Sequence, residues 1–137
     1  MIKRKITIVA LGASITEARE MTDENKKRLN ILGEKLRGKF PEYEFNLINS
    51  GKGGNSTREA MARFKNDVLS KNPDYVILDL CANNFDPVRP ERRVSLEEFK
   101  AILEQYKTLL SKKETYFLIH HKEQDHLLFG NHSHFQK

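Results

Sequence analysis

Ser14 stands in the run Gly12-Ala13-Ser14-Ile15-Thr16-Glu17, directly behind a short apolar stretch rich in β-branched residues. A serine hydroxyl placed at the end of a strand can act as a nucleophile, and a tight turn there can aim a backbone amide at the same point. A second run, Asn49-Ser50-Gly51-Lys52-Gly53-Gly54-Asn55-Ser56, is rich in glycine. Glycine lets the backbone approach a ligand closely and take positive φ. Amides leading into a helix favour negative charge, whether a phosphate or an oxyanion. This run is not a P-loop, because Lys52 is not followed by Ser or Thr and the earlier glycine of that motif is missing. A third run, Cys81-Ala82-Asn83-Asn84-Phe85-Asp86-Pro87, offers Asn83, whose side-chain NH2 is a neutral donor suited to a developing oxyanion. Each run alone also has a plain structural reading: a polar turn residue, a flexible connection, a turn-capping asparagine.

The elements that would carry these runs follow from the hydrophobic pattern. Ile6 to Leu11 reads as a strand. A helix is expected over about Glu24 to Lys39, with Leu29, Leu32, Leu36 and Phe40 on one face and Gly38 and Pro41 closing it. Glu44 to Asn49 is a second strand. Ser56 and Glu59 form a capping box that opens a helix bearing Ala60, Met61, Phe64 and Val68, stopped by Asn72-Pro73-Asp74. Tyr75 to Cys81 is the strongest strand in the chain. A second box, Ser95 with Glu98, opens a helix carrying Phe99, Leu103, Tyr106 and Leu110, and Thr115 to His120 forms a fourth strand. Alternation of strands and helices predicts an α/β fold with a parallel sheet covered on both faces. Ligands of such sheets bind outside the carboxyl ends of the strands, where all three runs fall.

Serine, glycine and asparagine in the loops after strands one, two and three resemble the SGNH hydrolases, also called GDSL lipases and esterases. The family block G-D-S-I/L-T is similar to Gly12-Ala13-Ser14-Ile15-Thr16. The block N-x-G-x-x-G-x-S/T is matched by Asn49, Gly51, Gly54 and Ser56, and G-x-N-D is echoed by Cys81-Ala82-Asn83-Asn84. The resemblance implies a three-layer α/β/α fold with a flavodoxin-like parallel sheet. It also implies Ser14 as nucleophile, with the amides of Ser14 and Gly54 and the Asn83 side chain as the oxyanion hole. A small ester or acetylated substrate would be cleaved through an acyl-serine intermediate, with no cofactor and no metal. Ala13, Cys81 and Asn84 depart from the blocks, which implies altered support of the loops.

The family takes its base from D-x-x-H in a loop after a further strand, and no such motif occurs here. The nearest echo is Asn131-His132-Ser133-His134, which makes His134 the candidate base. The expected organisation is a partial SGNH-like domain over residues 1–121, lacking the last strand-helix part, and an irregular tail over 122–137. The segment from His120 onward holds all five histidines. Three readings of it stand: a truncated or altered C-terminus, a rearranged base from His120, His121, His126 or His134, and an incidental surface tail. The alternatives to an esterase are an inactive SGNH-fold binder of a small acyl or anionic ligand, and a flavodoxin-like nucleotide or phosphate binder using the glycine loop.

Composition narrows the remaining classes. The 137 residues, 38% apolar and 31% charged, fit one globular domain. Cys81 is the only cysteine, so an internal disulfide is excluded. The net charge of +5 is spread among glutamates without a dense basic block, so no nucleic-acid partner is expected. No apolar run is long enough to suggest a membrane span. Lys3-Arg4-Lys5 ahead of Ile6 to Ala13 superficially resembles a leader, but the stretch is brief and is needed as a strand, so a cytoplasmic protein is expected.

Overall fold

The computed structural model describes residues 2–80, 82–110, 114–119 and 127–130. Its sheet contains β1 (Arg4–Gly12), β2 (Tyr43–Gly51), β3 (Tyr75–Leu80), β4 (Glu114–Ile119) and β5 (Leu127–Gly130), in the order β2-β1-β3-β4-β5. The first four are parallel and β5 runs antiparallel to β4. β5 lies in a stretch whose sequence has no strand period. At four residues, Leu127–Gly130 is too short to show one, and its pairing with β4 defines it. β1 is an interior strand, and Ile8 to Gly12 are buried, as a strand covered on both faces must be. The chain passes from β1 to β2 on one side and then from β2 across β1 to β3 on the other. This switch point opens a crevice at the carboxyl end of β1.

The helices are α1 (Ser14–Glu17), α2 (Arg28–Lys39), α3 (Thr57–Ala62), α4 (Phe64–Asp67) and α5 (Leu96–Leu109). The main core lies between the sheet and α3 to α5. Val9, Leu11, Val76, Leu78 and Leu80 from the sheet meet Ala60, Phe64, Val68, Ile102, Tyr106 and Leu110. Ile8 and Ala10 are also buried, although they lie outside this cluster. In α2 only Gly33 is buried, and Phe40 is exposed rather than part of an apolar face.

Two expected helices are broken. Glu24–Lys26 forms a separate 3-10 turn capped by Asp23, and Lys27 is extended before α2 begins. The Asn30 side chain donates to the Glu24 carbonyl at 2.7 Å and so stabilises the break. The helix expected after Ser56 becomes α3, α4 and a 3-10 turn at Leu69–Lys71. Its first break falls at Arg63, whose guanidinium is drawn to the strand ends. Its capping box is complete: Ser56 Oγ accepts from the Glu59 amide at 3.4 Å and the Glu59 carboxylate from the Ser56 amide at 2.7 Å. At α5 only half of the expected box forms. Ser95 Oγ accepts from the Glu98 amide at 3.1 Å, while both Glu98 oxygens accept from Arg58 at 2.6 Å.

Tyr106 is fully buried against Phe64, with ring centroids 4.8 Å apart and an interplanar angle of 72°. Burial pushes its phenol well above the ordinary tyrosine range, and Arg63 opposes this more weakly. A folded pKa raised above the unfolded value of about 10 leaves its contribution intact below that pH and removes it as pH rises toward the folded value. The urea midpoint of the wild type should therefore fall more steeply above about pH 10 than that of Tyr106→Phe. Parallel declines would refute this account.

Candidate active site

Gly12, Gly51 and Asp79 occupy one register row across β1, β2 and β3. The three sequence-predicted loops leave the sheet from this row, so Ser14, Gly54 and Asn83 arise at one edge. Ser14 begins α1 and is exposed. Among the described residues its hydroxyl has no hydrogen-bond partner, and the amides of Ser14 and Gly54 have no acceptor. A Cβ added at Gly53 would stand 3.9 Å from Ser14 Cβ, so the glycine loop passes directly beside the serine. Gly54 takes φ +80, a conformation that favours glycine. Asn83 donates one Nδ2 hydrogen to the Asn55 carbonyl at 2.9 Å. A primary amide carries two such hydrogens, so this bond orients the group and leaves the other hydrogen for a ligand.

The turn that carries Ser14 is held from several sides. Thr16 Oγ1 donates to Asp79 at 3.2 Å, and Asn49 Nδ2 donates to the Thr16 carbonyl at 2.7 Å. The Glu17 carboxylate accepts from the Gly53 amide at 2.6 Å, which ties α1 to the glycine loop. α1 ends at Ala18 in the left-handed region, φ 50, where a β-carbon is unfavourable. These bonds give the first loop its support even though Ala13 supplies no polar side chain.

Sequence reasoning missed Arg63, which supports the site, and read Asn84 only as a departure from the third block. Arg63 donates to the carbonyls of Gly12 at 3.0 Å and Ser50 at 2.8 Å, to Asn55 Oδ1 at 2.6 Å and to Asp67 at 2.8 Å. It thus clamps the ends of β1 and β2 and the glycine loop to α4. With Glu59 and Asp67 four positions away on either side, its sequence context reads as a solvated helix face. Asn84 is 1% exposed; its Oδ1 accepts from the Thr57 amide at 2.8 Å and its Nδ2 donates to Thr57 Oγ1 at 2.6 Å. It satisfies an orphan amide in the first turn of α3 and links the third loop to the second. Asn84→Leu should destabilise the fold by about 1–3 kcal/mol, because it strands the buried Thr57 amide. An unchanged urea midpoint would contradict this role.

His134, the expected base, and the other four histidines lie outside the described residues, as does Cys81. Among the described residues no group of three or more His, Cys, Asp or Glu could hold a metal ion, and no helix is long and apolar enough to cross a membrane.

The model of the GDSL-like lipase/acylhydrolase family matches residues 10–122, which include all three loops. The chain belongs to this family, the SGNH hydrolases. Over 109 residues it is 28% identical to an acetylxylan esterase of Geobacillus stearothermophilus, covering 70% of this chain and 50% of that protein. It therefore spans about half the length of that curated relative. The structure of LAE5, an alpha/beta hydrolase enzyme from the metagenome of Lake Arreo in Spain, superposes with a TM-score of 0.71 at 28% identity, covering 85% of this chain and 61% of LAE5. The acetyl xylan esterase AlAXEase superposes with a TM-score of 0.68 at 28% identity, covering 83% and 57% of the two chains. Both likenesses extend the family's three-layer α/β fold to this chain.

Proposed function

We propose that this SGNH-family chain is a carboxylic-ester hydrolase that removes acetyl groups from a carbohydrate through an acyl-serine intermediate. The observation that carries this reading is the shared register row of Gly12, Gly51 and Asp79, which brings the three loops to one edge. Ser14 Oγ attacks the ester carbonyl carbon. The carbonyl oxygen becomes an oxyanion, received by the amides of Ser14 and Gly54 and the second Nδ2 hydrogen of Asn83. Each such donor contributes on the order of 10²–10³ in rate. The tetrahedral species expels the sugar alcohol, which takes a proton; water then cleaves the acyl-serine to acetate and free serine. His134 is the group we assign to accept the Ser14 proton and return it to the leaving alcohol. The acetyl-sugar preference rests on the acetylxylan esterases to which the chain is similar.

A phosphonate ester probe reacts only with a serine activated for acyl transfer, so it tests this reading directly. One label per chain is expected, located to Ser14 by peptide mass spectrometry, with acetate released from acetylated xylose. Thermal stabilisation by acetylated xylose with neither label nor acetate would mark the chain as a binding protein instead.

A further inference from the structure

Five arginines surround the glycine loop and the loop after β3, and four are committed. Arg58 pairs with Glu98, and Arg63 with the strand ends. Arg92 donates to the Gly54 carbonyl at 2.9 Å and lies 3.4 Å from Glu59. Arg93 donates to the carbonyls of Asp86 at 3.1 Å and Pro87 at 3.4 Å. Arg89 is exposed and, among the described residues, has neither a hydrogen bond nor an ion pair through its side chain. Even so, it does not lie remote from the site. Its Nη1 is 3.8 Å from where a Cβ on Gly54 would stand.

The backbone keeps it there. Pro87 and Pro90 fix φ on either side of Val88 and Arg89. The two Arg93 bonds close the loop, and a 3-10 turn at Pro90–Arg92 follows directly. On the same loop Phe85, two positions beyond Asn83, is 65% exposed. A guanidinium with no internal partner matches a carboxylate in fork geometry. An exposed aromatic ring on the same loop offers an apolar platform. Arg89 approaches Gly54 and Phe85 follows Asn83 by two positions, and both Gly54 and Asn83 are assigned above to the oxyanion.

We infer that the alcohol part of the substrate is an acidic sugar. Arg89 takes its carboxylate and Phe85 the apolar face of its ring. This inference rests on the esterase reading and narrows its substrate class.

The test compares an acetylated methyl glucuronoside with the corresponding acetylated methyl glucoside. The wild type should favour the acidic ester by about tenfold to a hundredfold in kcat/KM, the range of one charged hydrogen-bonding contact. Arg89→Gln should bring the ratio close to one, and Arg89→Lys should retain part of it. Arg37→Gln, which removes the same charge beside the start of β2, serves as the control and should keep the wild-type ratio. No wild-type preference, or a preference that survives Arg89→Gln, would overturn the inference. Turnover of neither ester would instead overturn the esterase reading. Calorimetric titration with unacetylated methyl glucuronoside then decides the inference separately. Binding lost in Arg89→Gln supports it, and equal or absent binding rejects it.

Discussion

Ser14→Ala is expected to lower kcat/KM for an acetate ester by at least about 10³-fold while leaving the urea midpoint unchanged. The two halves of this expectation have separate causes. In the proposed mechanism the hydroxyl supplies the atom that forms the acyl bond, and no neighbouring side chain in the turn replaces it. Stability is spared because Ser14 is exposed and its hydroxyl has no hydrogen-bond partner among the described residues. Any residual rate would come from binding and the oxyanion donors alone. Equal turnover by wild type and variant would show that Ser14 does not do the chemistry. A fall in the urea midpoint alongside lost activity would show that it holds structure instead.

The second large effect is steric. A Cβ on Gly51 would stand 2.2 Å from the Glu17 amide nitrogen and 2.7 Å from Glu17 Cα. These are backbone atoms of α1, so no side chain can swing aside. Gly51→Ala should cost about 1–3 kcal/mol or more, as overpacking does where neighbours cannot yield. It should also lower turnover, because the displaced backbone belongs to the one-turn helix that carries Ser14. Gly38→Ala provides the contrast. Its added Cβ meets nothing within 4 Å, and its position near the end of α2 is helical. That change should stabilise the protein by about 0.5–1 kcal/mol. Urea titration of the two variants checks both signs, and a Gly51→Ala protein with wild-type stability and turnover would refute the close approach.

Much of this arrangement is legible in the sequence because parallel strands inside a sheet are written as apolar runs. Ile6 to Leu11 and Tyr75 to Leu80 stand out for that reason, and the loops that follow them then locate Ser14 and Asn83. The Ser56–Glu59 box is legible because capping is local chemistry. What the sequence conceals depends on contacts between distant residues. The helix break at Arg63 arises because its guanidinium finds carbonyls on two strands, which no local propensity encodes. Half of the Ser95–Glu98 box is lost because Arg58 reaches across from α3 and takes the carboxylate. Burial of Asn84 follows from packing against Thr57, and an Asn-Asn pair before phenylalanine reads from sequence as an ordinary polar turn. β5 is defined by its neighbour rather than by its own four residues.

The Gly12 carbonyl accepts from both the Lys52 amide and Arg63, each at 3.0 Å. That one oxygen joins the strand before Ser14, the glycine loop and the break between α3 and α4. Lifting the loop alone would break the Lys52 bond and the Arg63 bond to Asn55. In native-state hydrogen exchange, the Lys52 amide should exchange in step with the Val68 amide at the end of α4, as part of one cooperative opening. Crevice and helix would breathe as one body.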